Sequence, residues 1–294
     1  MRLAYFGSPE AAVPPLLALV EAGFEMPIVV SRADKRRGRG SRLLPSPVKS
    51  AALELGIPVT SKVDDVVDAG VYLGVVVAFG RLIKPHVLDR VPMVNLHFSL
   101  LPRWRGAAPV ERAILAGDTE TGVCLMQLEE GLDTGPVYAV ERLAIGEHET
   151  AGELRARLVA IGSTLLTSTL TAGLPEPSPQ VGEPTYAEKI DPVELRIGWS
   201  RPAVELDRLI RLERAWTTFR GHRLRILRAR PAPGPSGRLS GQHAHLPPGL
   251  LDGVVVGTGT GAIELVTVQP EGKAPQPAPA WLNGARLQPG ERLE

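Results

Sequence analysis

The chain contains one cysteine, Cys124, among its 294 residues. A single thiol excludes an intramolecular disulfide framework and nearly excludes a cysteine-based metal site. Cys124 lies in the apolar stretch GVCLMQL, so we interpret it as a small buried hydrophobic residue. The hydrophobic fraction of 44% is enough to form substantial cores, and these have to supply the stability that disulfides cannot.

Long uncharged hydrophobic runs are also missing. No run of about 18 or more apolar residues occurs, so we expect no transmembrane helix. The N-terminal stretch makes a poor signal peptide, because Glu10, Pro14 and Pro15 interrupt its apolar residues. These absences predict a cytoplasmic protein with no membrane partner, and we expect it to act as a monomer.

The sequence lacks an excess of charge of either sign, since 33 Lys and Arg face 32 Asp and Glu. A nucleic-acid partner would therefore have to bind a local patch. Residues 31–42 carry six Lys or Arg against one Asp, and residues 201–230 carry nine Arg against three acids. Either segment could meet phosphates. The alternative for both is an ordinary solvated charged surface.

The order of strand-like and helix-like segments predicts two domains. Segments such as RLAYF, MPIVVS, VYLGVVVAFG and MVNLHF read as strands and alternate with amphipathic helices. This pattern predicts an α/β domain with a doubly wound sheet over residues 1–180. A Pro- and Gly-rich linker region follows over 181–205, and short strands over 206–294 indicate a small barrel or sandwich.

The densest chemistry lies in VNLHFSLLPRWRG, residues 94–106. Asn95 and His97 are two residues apart, so on a strand they share one face. Ligands of open α/β sheets bind at the carboxyl ends of strands, where an amide and an imidazole can stabilise an oxyanion or manage a proton. Asp133, in the polar loop EEGLDTG, could orient His97. The alternatives are two satisfied buried polar groups and an ordinary turn aspartate.

Several common cofactor sites are excluded by the motifs. The first strand-to-helix turn, Gly7-Ser8-Pro9-Glu10, lacks two of the glycines of the dinucleotide fingerprint, so we predict neither NAD nor FAD. No phosphate-binding P-loop occurs. His243 and His245 form a His-x-His pair without a third ligand at a plausible spacing, so we predict no metal.

These motifs together resemble the methionyl-tRNA formyltransferase family of the folate-dependent formyltransferase superfamily. The resemblance rests on residues 94–137 and extends to MRLAYFGSPE, GRGSRLLPSPVK, AFG at 78–80, PTYAEKI at 184–190, RIGWSRPA at 196–203, VQPEGK at 268–273 and LNG at 282–284. It implies a Rossmann-like catalytic domain and an OB-like tRNA-binding domain. It also implies transfer of a formyl group from 10-formyltetrahydrofolate to the α-amino group of initiator methionyl-tRNA.

The resemblance also implies roles for individual residues. The catalytic residues would be Asn95, His97 and Asp133. Two further sets follow from the same comparison. The folate-binding residues would be Ser99, Leu100, Leu101, Pro102, Phe79, Gly80 and Leu132. The residues that bind the tRNA acceptor arm would be Arg36, Arg37, Arg39, Arg42, Arg214 and Lys273.

Two other functions remain open at the level of sequence. The first is formyl transfer to a small amine, on a nucleotide sugar or a ribonucleotide, or hydrolysis of formyl-folate. The arginine-rich second domain argues against a small acceptor. The second is an RNA-binding module without activity, against which the presence of Asn95, His97 and Asp133 argues. The segment LERAWT at 212–217 departs from the family pattern.

Overall fold

A computed structural model of the chain describes residues 1–36, 43–232 and 246–294. The strands are β1 Arg2–Gly7, β2 Glu25–Val30, β3 Lys35–Arg36, β4 Leu43–Leu44, β5 Val59–Thr60, β6 Leu73–Val77, β7 Met93–His97, β8 Arg105–Gly106, β9 Glu120–Gln127, β10 Val137–Ala144, β11 Tyr186–Ala187, β12 Trp216–Phe219, β13 His222–Pro231, β14 Leu251–Asp252, β15 Val255–Gly257, β16 Ala262–Pro270 and β17 Gln276–Pro277. The helices are α1 Val13–Glu21, α2 Pro47–Glu54, α3 Pro85–Leu88, α4 Pro109–Ala116, α5 Ala151–Ala172, α6 Ala203–Ile210 and α7 Ala278–Ala285, with short 3₁₀ turns at Glu10–Ala12, Val63–Val66 and Pro192–Leu195.

The chain divides into two compact units. The first unit contains Met1–Val110, Glu120–Ala144 and Arg155–Glu188, and the second contains Glu111–Thr119, Ile145–Leu154 and Lys189–Glu294. No single cut in the sequence produces this division, because two short segments before residue 155 belong to the second unit. The domain boundaries at residues 180 and 205 stay a prediction.

The first unit is built on a seven-stranded sheet in the order β10-β9-β7-β6-β1-β2-β5. Five neighbouring strands of this sheet, β7, β6, β1, β2 and β5, are parallel. At one edge, β9 runs antiparallel to both of its neighbours, β7 and β10. From β1 the chain builds outward through β2 and β5, then crosses back to place β6 on the other side of β1. The order therefore reverses between β1 and β6, which is where ligands of doubly wound sheets bind.

Both faces of the central strands β1, β6 and β7 are buried, as the long apolar runs indicate. Along β1, Leu3 and Tyr5 point to one face and Ala4 and Phe6 to the other, and all four are fully buried. The Phe6 ring meets the Phe79 ring edge-on, with centroids 5.5 Å apart. Phe79 follows β6, so this aromatic contact joins the core to the strand ends.

Helix α5 lies against the back of the strand that carries Asn95 and His97. A Cβ added at Gly162 would lie 3.2 Å from side-chain atoms of both Leu96 and Val123. The glycine therefore allows the helix to approach β7 and β9 closely. Leu96 points to this face, which leaves its neighbours Asn95 and His97 on the opposite one.

The second unit contains an antiparallel sheet in the order β12-β13-β16-β15-β14, with β17 paired to β16. Helix α6 buries Leu206, Leu209 and Ile210, and Trp281 of α7 meets the Phe219 ring edge-on at 5.1 Å. The predicted fold class, an α/β sheet domain followed by a small β domain, is confirmed. In the part of the chain that the structure describes, no helix is long and apolar enough to cross a membrane.

Two helical leucines give a matched test of where the stability lies. Leu16 of α1 is fully buried, whereas Leu53 of α2 is 56% exposed. We expect Leu16→Ala to lower the free energy of unfolding by about 2–5 kcal/mol, since it removes buried methyl groups and leaves a cavity. Leu53→Ala should cost less than about 0.5 kcal/mol. Urea denaturation followed by circular dichroism measures both, and equal losses would contradict the difference in burial between the two side chains.

The cysteine supplies a second test. Burial raises the pKa of the Cys124 thiol to about 11, so almost no thiolate exists near neutral pH. We expect the folded protein not to react with a disulfide reagent at pH 8, and to react with one equivalent after unfolding in denaturant. Rapid reaction of the folded protein would show that the thiol is accessible.

Candidate active site

A cavity of about 580 Å³ lies at the carboxyl ends of β1, β6 and β7. Its volume is within the range of about 300–1,000 Å³ that is typical of small-molecule sites. The lining residues are Pro9, Val76, Ala78, Phe79, Gly80, Arg81, Leu82, Ile83, Asn95, Leu96, His97, Phe98, Gly106, Ala107, Pro109, Leu128, Glu129, Glu130, Gly131, Leu132 and Asp133. All of them belong to the first unit.

The last residues of β7 direct Asn95 and His97 into this cavity. Both side chains are buried, with 9% of Asn95 and 6% of His97 exposed. The Nε2 atom of His97 lies 2.9 Å from the carbonyl oxygen of Trp104. A carbonyl can only accept, so Nε2 carries a proton and donates it there. The other ring nitrogen, Nδ1, is left to face a different partner.

That partner is Asp133, which lies 38 residues after Asn95 in the sequence. Its Oδ2 atom is 3.6 Å from Nδ1 of His97, and its Oδ1 atom accepts a hydrogen bond of 3.2 Å from Nδ2 of Asn95. The backbone N–H of Gly106 also donates to Oδ2 at 2.8 Å. The structure therefore brings Asn95, His97 and Asp133 together. Their catalytic roles stay a prediction.

The turn that follows β7 is stabilised by its own side chains. Ser99 is fully buried, and its Oγ donates to the carbonyl oxygen of Arg103 at 2.6 Å. Trp104 has φ +63°, a conformation that is uncommon for residues other than glycine. Its N–H donates to Oγ1 of Thr185 at 2.9 Å, while its carbonyl accepts from His97. The turn thus sets the tautomer and orientation of the imidazole.

The predicted folate residues fall into two groups. Phe79, Gly80 and Leu132 line the cavity, and Leu132 is 53% exposed at its rim. Among the described residues that line it, Ser99, Leu100, Leu101 and Pro102 do not occur. This second group builds the turn behind the cavity wall. For example, Leu100 lies so close to Gly122 that a Cβ there would be 2.4 Å from its Cδ2.

The predicted tRNA residues are not brought together by the described residues. Arg37, Arg39 and Arg42, and the side chain of Arg36, lie outside them. Arg214 and Lys273 lie on the surface of the second unit. Each therefore stays a prediction.

Sequence reasoning missed two features of the chain. One is the set of contacts that Gln180 makes with the Asp133 loop and Arg105, and that Thr185 makes with Trp104 and Arg105, because Gln180 lies in the Pro- and Gly-rich stretch 173–184 and Thr185 in the predicted linker region 181–205. The short strand β11 pairs there with β8. The other is an aromatic and basic cluster in the second unit, where the guanidinium groups of Arg196 and Arg223 lie 5.7 and 4.4 Å from the centre of the Trp216 ring.

Metal ligands were not expected in this chain. Within residues 1–36, 43–232 and 246–294, no group of three or more His, Cys, Asp or Glu side chains could hold a metal ion. His243 and His245 lie outside those stretches.

Comparison with known proteins places these observations in a family. The formyl transferase family model matches residues 1–170, and the model for the formyl transferase C-terminal domain matches residues 189–286. The methionyl-tRNA formyltransferase of Dinoroseobacter shibae is 44% identical over 304 residues, which cover 98% of this chain and 98% of that protein.

Solved structures share the fold at low sequence identity. HypX from Aquifex aeolicus, in complex with tetrahydrofolic acid, has a TM-score of 0.67 at 16% identity, over 99% of this chain and 48% of that one. This chain thus spans about half the length of HypX. Methionyl-tRNA formyltransferase from Clostridium thermocellum has a TM-score of 0.59 at 17% identity, over 81% and 94%. With the full-length similarity to the Dinoroseobacter enzyme, the chain belongs to the formyl transferase family, among its methionyl-tRNA formyltransferases.

Proposed function

We propose that this chain transfers a formyl group from 10-formyltetrahydrofolate to the α-amino group of initiator methionyl-tRNA, in the cytoplasm. The observation that carries the proposal is the buried contact of Asn95, His97 and Asp133 in one cavity, in a chain that is similar over its whole length to methionyl-tRNA formyltransferases. The second unit contains the arginine-rich segment 201–230, which a large anionic acceptor would contact.

The reaction joins the nitrogen of the α-amine to the formyl carbon and breaks the bond between that carbon and the folate nitrogen. The amine has to attack as the free base, and α-amino groups titrate at about pH 7.7–8.0. One proton leaves the amine, and one is delivered to the departing folate nitrogen. The protein therefore has to supply a donor for the oxyanion and a group that receives a proton.

Asn95 is the best-placed donor. One N–H of its amide is used by Asp133, which leaves the second for the oxygen of the formyl group. The Nε2–H of His97 already donates to Trp104, so His97 would have to share that proton with the substrate. With Nδ1 also protonated and facing Asp133, the imidazole would add positive charge beside the oxyanion.

Asp133 is the group that we propose to receive the amine proton. Its carboxylate contacts both Asn95 and His97 and lines the cavity, although only 11% of the side chain is exposed. Donors at Asn95 and Gly106 hold its two oxygens in place without neutralising it. The same carboxylate can thus fix the geometry of the site and take up a proton.

The cavity fits a flat, largely apolar co-substrate such as formyl-folate. Val76, Phe79, Ile83 and Phe98 form an apolar part of the wall, and Asn95, His97 and Asp133 form a polar cluster, while Arg81, Glu129 and Glu130 add charged groups elsewhere in the lining. This distribution is typical of ligand sites in which a few polar groups fix orientation. Bound there, 10-formyltetrahydrofolate would supply the activated one-carbon unit, and its rings would occupy the apolar part.

Arginine contacts with the tRNA are proposed in both units. The basic segment 31–42 follows β2 in the sequence, and the carboxyl end of β2 lies at the same edge of the sheet as the cavity. In the second unit, the guanidinium groups of Arg196 and Arg223 lie over the ring of Trp216 and offer N–H donors for phosphates. These contacts would recognise the backbone and so would depend strongly on salt.

Substitution of the amide and the carboxylate tests the chemistry. We expect Asn95→Ala to reduce kcat by about 10²–10³-fold, because one oxyanion donor is lost, and Asp133→Ala to abolish turnover. Asn283→Ala, at an exposed position of α7, serves as the matched control and should retain full activity. The measurement is the rate of formyl transfer from 10-formyltetrahydrofolate to charged initiator tRNA, with circular dichroism to verify folding. Full activity of either Asn95→Ala or Asp133→Ala would contradict the proposed chemistry of the site.

A salt series tests the acceptor. Replacing Arg39 or Arg42 by Ala should weaken tRNA binding and flatten the slope of log K against log salt by about one unit each, since each loses one phosphate contact. Filter binding with charged initiator tRNA measures the slope. The control is Arg142→Ala, an exposed arginine on β10 that is paired with Glu120.

The formyl-transfer assay also decides the class of the acceptor. The acceptors to be compared are aminoacylated initiator tRNA, aminoacylated elongator tRNA and free methionine. Formyl transfer to methionine or another small amine at a rate similar to that of the initiator tRNA would favour the small-acceptor alternative. Release of formate without an acceptor would favour a hydrolase.

A further inference from the structure

The side-chain amide of Gln180 makes four hydrogen bonds in the first unit. Its Nε2 donates to the carbonyl oxygens of Asp133 and Gly135, both at 2.8 Å. Its Oε1 accepts from Nε and Nη2 of Arg105, at 3.1 and 2.6 Å. The guanidinium has no acceptor and the carbonyls have no donor, so only this orientation of the amide satisfies all four contacts.

These contacts fix a strained residue. Asp133 has φ +51°, in the left-handed region that residues with a Cβ rarely occupy. Such a conformation persists only when its surroundings hold it. Gln180 holds the carbonyl oxygens of Asp133 and Gly135, on both sides of Thr134, so it restrains the backbone from which the carboxylate extends.

Strand β8 restrains both the carboxylate and the backbone of Asp133. Gly106 of β8 donates its N–H to the Asp133 carboxylate, while its neighbour Arg105 contacts Gln180, which binds the Asp133 carbonyl. Gly106 can lie there because it has no side chain: a Cβ would be 2.9 Å from the carbonyl oxygen of Ala187. Carboxylate and backbone of Asp133 are therefore tied to one two-residue strand.

The segment that carries Gln180 is itself anchored at several points. Ser178 exchanges two backbone hydrogen bonds with Val137, at 2.8 and 2.9 Å. Thr185 accepts from the N–H groups of Trp104 and Arg105, and β11 pairs with β8. The connection after α5 thus has a defined path beside the Asp133 loop, although its composition is that of a linker.

We propose that Gln180 is a positioning residue for Asp133, and that the segment 178–187 holds the Asp133 loop in place for the formyl transfer reaction. The inference rests on the proposed function for its kinetic consequences. Its structural part, that Gln180 restrains the Asp133 loop, does not depend on the identity of the acceptor.

Two substitutions separate the contacts. Gln180→Glu keeps an oxygen for Arg105 but removes both donors to the Asp133 and Gly135 carbonyls. Gln180→Leu removes all four contacts at nearly the same volume. Tyr138→Phe is the matched control, because it removes one side-chain hydrogen bond to Gln127 between β9 and β10 without a contact to Asp133. Each variant is prepared as the full chain.

We expect Gln180→Glu and Gln180→Leu to lower kcat by about 10- to 100-fold, because a misplaced catalytic group costs rate at saturating substrate. The KM for 10-formyltetrahydrofolate should stay within about twofold, and each variant should remain fully folded at the assay temperature, as Tyr138→Phe does. Wild-type kcat in Gln180→Glu would overturn the proposal, since the donors would then be unnecessary. Parallel changes in kcat, KM and melting temperature would also overturn it, by showing a general structural role.

Hydrogen exchange supplies a readout that is independent of activity. Amides of residues 129–136 should exchange faster in both Gln180 variants than in wild type and in Tyr138→Phe. Unchanged exchange would contradict the restraint itself. If wild type transfers no formyl group to charged tRNA, the proposed function fails, whereas the exchange result still decides the role of Gln180.

Discussion

The site depends on one desolvated carboxylate. Asp133 is 11% exposed, and a buried charge is costly unless hydrogen bonds and opposite charges surround it. Asn95, Gly106 and His97 provide those partners from the end of β7 and from β8. Each partner has its own requirement: Asn95 and His97 must share a strand face, and the chain after β7 must turn back to present a backbone N–H.

The turn after β7 meets that requirement through local chemistry. The buried Ser99 hydroxyl closes it onto Arg103, and Trp104 takes a left-handed conformation that places its carbonyl against His97. The imidazole then has one nitrogen engaged by a carbonyl and the other facing Asp133. The turn after β7, which the sequence indicates only as the end of a strand, therefore sets the orientation of the His97 imidazole.

Much of this arrangement can be predicted from the sequence, and the features that cannot be predicted give no pattern in the sequence for physical reasons. Alternation along MVNLHF places Asn95 and His97 on one face, and continuous apolar runs predict the buried parallel strands. Gln180 gives no such signal, because it lies in a Pro- and Gly-rich stretch and acts through backbone carbonyls. The two-residue strands β8 and β11 are too short to show periodicity. Helix α7 likewise lies in a segment where Pro277 and Pro279 obscure the helical pattern.

The arginines of the second unit are not equally available to a phosphate. Among the nine arginines of residues 201–230, four form ion pairs: Arg201 with Glu205, Arg220 with Glu291, Arg228 with Glu153 and Arg230 with Glu264. A paired guanidinium offers less to a phosphate, because its carboxylate competes for the same N–H donors. Arg196 and Arg223 contact the face of Trp216 instead, and this leaves N–H donors at the edge of each guanidinium. The capacity to bind an anionic acceptor thus depends on which arginines have aromatic rather than acidic neighbours, and a nearly neutral chain can still present a basic site.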